Sequence, residues 1–95
     1  MMVVAACEID LRISSKPRSL KEKRMIIRSL KDRIRNRFEV AVAEVDYLDL
    51  WQRAALGVAC VSRESKEAES MIQKVLNFID GVGELEIVNA DIRLY

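Results

Sequence analysis

Apolar residues occupy alternate positions at the start of the chain. Val3, Ala5, Cys7, Ile9, Leu11 and Ile13 are separated by Val4, Ala6, Glu8, Asp10 and Arg12. A period of two predicts a strand with one buried face. After a loop over Ser14–Arg18 the period changes. Leu20, Ile26, Ile27, Leu30, Ile34 and Phe38 fall within an arc of roughly 120° when wound at helical pitch. Ser19 and Glu22 have the spacing of a reciprocal cap: Ser19 accepts from the N–H of Glu22, and Glu22 reaches back to the N–H of Ser19. Pro17 lies just before it, where no helical N–H is needed.

The alternation then returns over Glu39–Val45 and again over Arg53–Ser62, with a polar connection, Asp46–Gln52, between them. A second helix is predicted over Arg63–Asp80, carrying Ala68, Ile72, Val75, Leu76 and Ile79 on one face. Ser62 or Ser65 would cap it, and Gly81 and Gly83 would end it. Glu84–Tyr95 reads as a last strand. Leu85 and Ile87 share one parity and Ile92 and Leu94 the other, so a bulge is expected near Val88–Ala90.

The order is β-α-β-β-α-β. An α+β, ferredoxin-like domain over residues 1–95 solves it, with a four-stranded antiparallel sheet and two helices on one face. The strand order 4-1-3-2 of that fold would bring the strands of Cys7 and Cys60 side by side. The other sheet face would be open and paved with Val4, Ala6, Ala41, Ala43, Gly57, Ala59 and Val61. None of these is an aromatic platform for bases. So flat a face of small residues suits packing against another sheet, and a homodimer through it is an expectation.

Composition narrows the class. The chain is 51% hydrophobic and 33% charged, with net charge +1. No apolar run approaches the roughly 20 residues of a membrane span, so no membrane partner is expected. Two isolated cysteines inside apolar strands suit reduced core thiols and a cytoplasmic location.

Charge is unevenly placed. Lys16–Phe38 contains ten basic residues and only Glu22 and Asp32 as acids. Lys21, Arg24, Arg28, Lys31 and Arg35 recur at spacings of three and four, forming a stripe roughly 21 Å long on one side of the helix. It reads either as a solvated face or as a docking edge for a polyphosphate backbone or an acidic protein. Lys16 and Arg18 would extend it from the loop.

Glu44, Asp46 and Asp49 surround Trp51 and Arg53 near the polar connection. Three carboxylates there are metal candidates through oxygen ligands, or candidates for proton transfer in a metal-dependent enzyme. Against this, the chain has no histidine and no glycine-rich phosphate cradle. The plainer reading has Trp51 capping the core and Arg53 pairing with Asp46 or Asp49. A third reading lets Trp51 stack on a base, with Gln52 and Arg53 as polar contacts. No catalytic residue, resident metal or cofactor is expected.

Three segments carry a family resemblance: Arg18-Ser-Leu-Lys-Glu-Lys-Arg24, Arg37-Phe-Glu-Val-Ala-Val-Ala-Glu-Val-Asp46 and Asp49-Leu-Trp-Gln-Arg-Ala-Ala-Leu-Gly57. The chain resembles the YlxP-like family of bacterial proteins, a domain of unknown function, over nearly its whole length. The resemblance implies a ferredoxin-like fold and a bacterial cytoplasmic protein. It also implies a setting beside a translation initiation factor and a ribosome-binding factor, and hence ribosome assembly or translation. The expectation is a non-enzymatic protein that binds ribosomal RNA or a ribosomal subunit through Lys16, Arg18, Lys21, Arg24, Arg28, Lys31, Arg35, Trp51 and Arg53.

Overall fold

A computed structural model describes all 95 residues. The elements run β1 (Val3–Ile13), α1 (Leu20–Arg37), β2 (Ala41–Asp46), β3 (Arg53–Ser62), α2 (Ser65–Asp80) and β4 (Leu85–Leu94). The sheet is antiparallel throughout, in the order β2-β3-β1-β4. This is the β-α-β-β-α-β ferredoxin-like arrangement that the alternation of periods predicted.

The inward parity of each strand supplies the core. Ala5, Cys7, Ile9, Leu11 and Ile13 join Leu56, Val58 and Cys60 under the helices. Ile27, Leu30 and Ile34 of α1 and Ala68, Ile72, Val75 and Ile79 of α2 cover them. Burying each large aliphatic side chain stabilises by about 1.5–3 kcal/mol. The two helices also meet through Phe38 and Phe78, whose rings pack edge to face at 5.9 Å.

Several local expectations are refined. The hydroxyl of Ser19 does accept from the Glu22 N–H at 3.1 Å. The Glu22 carboxylate reaches one residue farther back than expected and accepts from the N–H of Arg18. The second strand starts at Ala41 and not at Glu39, because pairing with β3 begins at Ala41 opposite Ala59. The second helix starts at Ser65, and its cap position is Glu64, which makes no side-chain cap bond. Ser62 instead staples the first turn, accepting from the Glu64 N–H and donating to the Glu67 carboxylate. Gly81 closes α2 with ordinary right-handed angles. The left-handed positions are Lys16 and Tyr47, at φ 53° and 59°, which is uncommon outside glycine.

The expected bulge in the last strand is present. Asp10 faces Asn89 while Leu11 faces Ile87, leaving Val88 as the extra residue. Leu85, Ile87, Ala90 and Ile92 thereby all reach the core.

Cys7 and Cys60 lie on adjacent strands, opposite Val58 and Ala5 respectively, and both are free thiols in the core. Burial pushes both thiols above their usual value.

On the open face β1, β2 and β3 expose small residues. Ala6, Ala41, Ala43, Gly57 and Ala59 form the floor of a shallow trough of about 700 Å³. Glu8 and Asp91 stand directly opposite each other across the β1–β4 pair, with Asp10 two residues along.

Candidate nucleic-acid interface

The centre of the apolar arc of α1 is held by a lysine. Wound at 100° per residue, Lys23 falls between Leu30 and Ile34, and it is fully buried. Its ammonium donates to Glu44 Oε2 at 2.6 Å, to the Tyr47 carbonyl at 2.9 Å and to the Leu48 carbonyl at 3.4 Å. An ammonium has three donors, and all three are met. The sequence reading missed this residue as a site, although its place on the helical wheel was the available signal.

Glu44 therefore points inward, on the parity of Val42, and its carboxylate serves Lys23. Asp46 turns back on its own loop and accepts from the Tyr47 N–H at 2.7 Å. Glu44, Asp46 and Asp49 do not converge into a metal-binding group. The candidate metal site is corrected on this ground: a carboxylate committed to a buried ammonium is not free to ligate a cation.

The loop between β2 and β3 is fixed at its base by Lys23 and displays apolar side chains at its tip. Leu48, Leu50 and Trp51 are 55%, 49% and 48% exposed. Trp51 does not cap the core: it is half exposed and is not among the side chains packed against the core cluster. Asp46 and Asp49 are also exposed, so the surface around Trp51 is not one that attracts phosphate.

Arg53 is half-buried at the start of β3. Its partners differ from those expected. It pairs with Asp10 at 3.9 Å and lies over the Tyr47 ring at 4.7 Å. Arg53 lies opposite Arg12 and shares the parity of Gly57 and Ala59, so it belongs to the open face of the sheet. The α1 stripe lies on the other side of the molecule. Arg53 and the stripe are not one site, because strand parity sends the side chain away from the helices.

The stripe itself is assembled as the spacing required. Lys21, Arg24 and Arg28 are exposed and Lys31 is partly so. None of these four has a carboxylate of the same molecule within 4.0 Å. Arg35 is different: it pairs with Asp32 at 3.6 Å and donates to the Val42 carbonyl at 2.9 Å. That bond ties the stripe side of α1 to the edge strand β2. Lys16 and Arg18 are exposed in the loop that precedes the helix, at the Lys21 end of the stripe.

Comparison with known proteins relates the chain to a family. Residues 4–92 match the family described as "Protein of unknown function (DUF503)". The chain is 43% identical over 68 residues to the uncharacterized protein YlxP of Bacillus subtilis (strain 168), covering 72% of this chain and 74% of that protein. Among solved structures, the de novo designed protein Foldit4 is similar, with a TM-score of 0.54 over 100% of this chain and 97% of the other. At 19% identity that likeness concerns the fold alone. No helix is long and apolar enough to cross a membrane.

Proposed function

We propose that this chain, which belongs to the DUF503 family, is a non-enzymatic RNA-binding protein that grips the phosphate backbone along α1. The observation that carries this reading is the bareness of the stripe. Lys21, Arg24, Arg28 and Lys31 are free of internal carboxylates, although the chain as a whole has nearly as many acids as bases. Like charges at helical spacings of three and four repel by a few tenths of a kcal/mol per pair. An anionic partner relieves that repulsion.

Contacts of this kind give affinity and register but little sequence choice. They suit a structured RNA, and ribosomal RNA or a ribosomal subunit in the cytoplasm is the partner that agrees with the family resemblance. Lys16 and Arg18 would extend the track at one end. Trp51 and Arg53 fall outside it.

The test is binding to duplex RNA at several salt concentrations. Four neutralised phosphates give a slope of about −4 in log K against log salt, borrowing the duplex-DNA coefficient. Reversing two charges, Arg24→Glu with Arg28→Glu, should abolish most of the affinity and leave the melting temperature near that of the parent. Equal affinity for parent and variant would reject the site. Binding to an acidic protein that short RNA cannot displace would favour a protein partner on the same stripe.

Self-association through the open face is a second reading, favoured by the small-residue floor of the trough. A second copy there would bury Glu8 and Asp91, which already face each other, and like charges directly opposite are destabilising. Sedimentation at high protein concentration decides it, since a species of monomer mass alone removes the dimer.

A further inference from the structure

Two arginines on the other flank of α1 have an arrangement that the stripe does not explain. Arg33 and Arg37 are one helical turn apart, roughly opposite Arg35 around the helix axis. The Arg33 guanidinium carbon lies 5.2 Å from the centre of the Phe78 ring, and that of Arg37 lies 4.8 Å from it. Both cations are thus held against one ring of α2. Neither makes a salt bridge, and neither donates a side-chain hydrogen bond to the protein.

A guanidinium held over a ring spends little of its donor capacity there, and its remaining N–H groups are free to meet an anion. Holding two guanidiniums at one ring also keeps like charges close. Residues four apart on a helix have Cβ atoms about 5–6 Å apart, and both guanidiniums lie at the same ring, so one anion can reach both. The helix C-terminus attracts Arg37, which lies in the last turn of α1. It gives no such reason for Arg33, which precedes that turn. Arginine forks recognise phosphate oxygens bidentately, and two of them held at one ring bring such donors together.

We propose that Arg33, Arg37 and Phe78 form a second phosphate-binding position, on the flank of α1 that faces α2. It takes one phosphodiester group of the RNA backbone. This rests on the RNA reading above and deepens it: α1 carries phosphate donors on both flanks, separated by about the 10 Å thickness of a helix. A rod with donors on both sides contacts the two walls of a groove, whereas a single stripe follows one strand.

The experiment follows the side-chain Nε–Hε signals of the arginines by NMR on the full chain. The two probes are a blunt 16-base-pair RNA duplex and, separately, inorganic phosphate. The duplex should shift the signals of Arg33 and Arg37 together with those of Arg24 and Arg28. Arg33→Lys with Arg37→Lys keeps the charge but removes the planar donors, and should weaken duplex binding about tenfold with little change in salt slope. Phe78→Leu keeps an apolar contact, frees the guanidiniums and should weaken binding comparably. Thermal melts of both variants separate loss of binding from loss of fold. If the duplex moves the stripe signals while Arg33 and Arg37 stay still, or if the lysine variant binds as the parent does, the second position is rejected and the RNA reading stands. If the duplex moves no arginine but phosphate shifts Arg33 and Arg37, the anion position stands and the RNA reading falls. If neither probe moves them, the position is rejected.

Discussion

The ammonium of Lys23 and the carboxylate of Glu44 lie 2.6 Å apart under α1, with the lysine side chain wholly out of water. The pair joins the helix to the inward side of β2. The two further bonds to the Tyr47 and Leu48 carbonyls extend the tie into the β2–β3 loop. A loop that begins with a left-handed Tyr47 and exposes three large apolar side chains is thereby anchored at its base. Anchoring it orders the loop without burying its tip.

Removing one half of this pair leaves the other charge buried and alone. Lys23→Ala should destabilise by about 3–5 kcal/mol. For a domain of this size each kcal/mol lowers the melting temperature by roughly 4–8 °C, so the loss is easily seen in a thermal scan. The double replacement Lys23→Met with Glu44→Leu should recover most of it. The residual cost is that of the two loop carbonyls left without a donor. A double variant as unstable as Lys23→Ala would show that the loop bonds, and not the charge pair, dominate.

Stability should fall as the solution becomes alkaline. Cys7 and Cys60 ionise less readily in the folded chain than in the unfolded one, because burial disfavours the thiolate. A raised folded pKa means that this contribution is complete below the unfolded value of about 8.5 and declines above it, as the unfolded thiols release protons first. Urea midpoints should therefore decrease between pH 8 and pH 10. The decrease should be smaller in Cys7→Ala with Cys60→Ala. A double variant with the parent's pH dependence would assign the decline to other groups.

Gly57 tolerates little addition. A methyl group placed on it would sit 3.0 Å from Val45 Cγ1. Val45 is the extra residue at the register shift between Glu44 and Asp46 in the edge strand, and its side chain lies against Gly57 of β3. Gly57→Ala should cost about 1 kcal/mol through overpacking. Adding Val45→Ala should return most of that stability, measured as non-additivity in a double-mutant cycle.

The chain's single tryptophan reports on the loop. Trp51 is about half exposed, so its emission should be strongly quenched by acrylamide. Duplex RNA at saturating concentration should leave that quenching unchanged, since the exposed Asp46 and Asp49 lie within a few residues of Trp51 in the chain and the bases of a duplex are already stacked. Protection of Trp51 by RNA would restore it to the binding surface.

The architecture was legible because each element carries its own period. Alternation marked β1 and β3 to the residue, and the change of parity in β4 placed a bulge near Val88–Ala90, within which Val88 is the extra residue. The basic stripe was legible too, since the spacing of Lys21, Arg24, Arg28, Lys31 and Arg35 is a property of the helix alone. Boundaries at Ala41 and Ser65 were less legible, because they depend on where a neighbouring strand begins to pair and on a serine acting from outside the helix.

The partners of charged side chains were not legible at all. Arg53 was expected beside Asp46 or Asp49, its neighbours in sequence, and it pairs with Asp10, brought in by the β1–β3 pairing. The helical wheel sets Lys23 on the apolar face of α1, but its partner Glu44 is fixed only once α1 lies on the sheet. The sequence by itself determined the elements, their faces and the line of positive charge, because these are local consequences of residue order. Only the tertiary structure decided which charges are spent inside the molecule and which face water, because an ion pair depends on distances between segments remote in the chain.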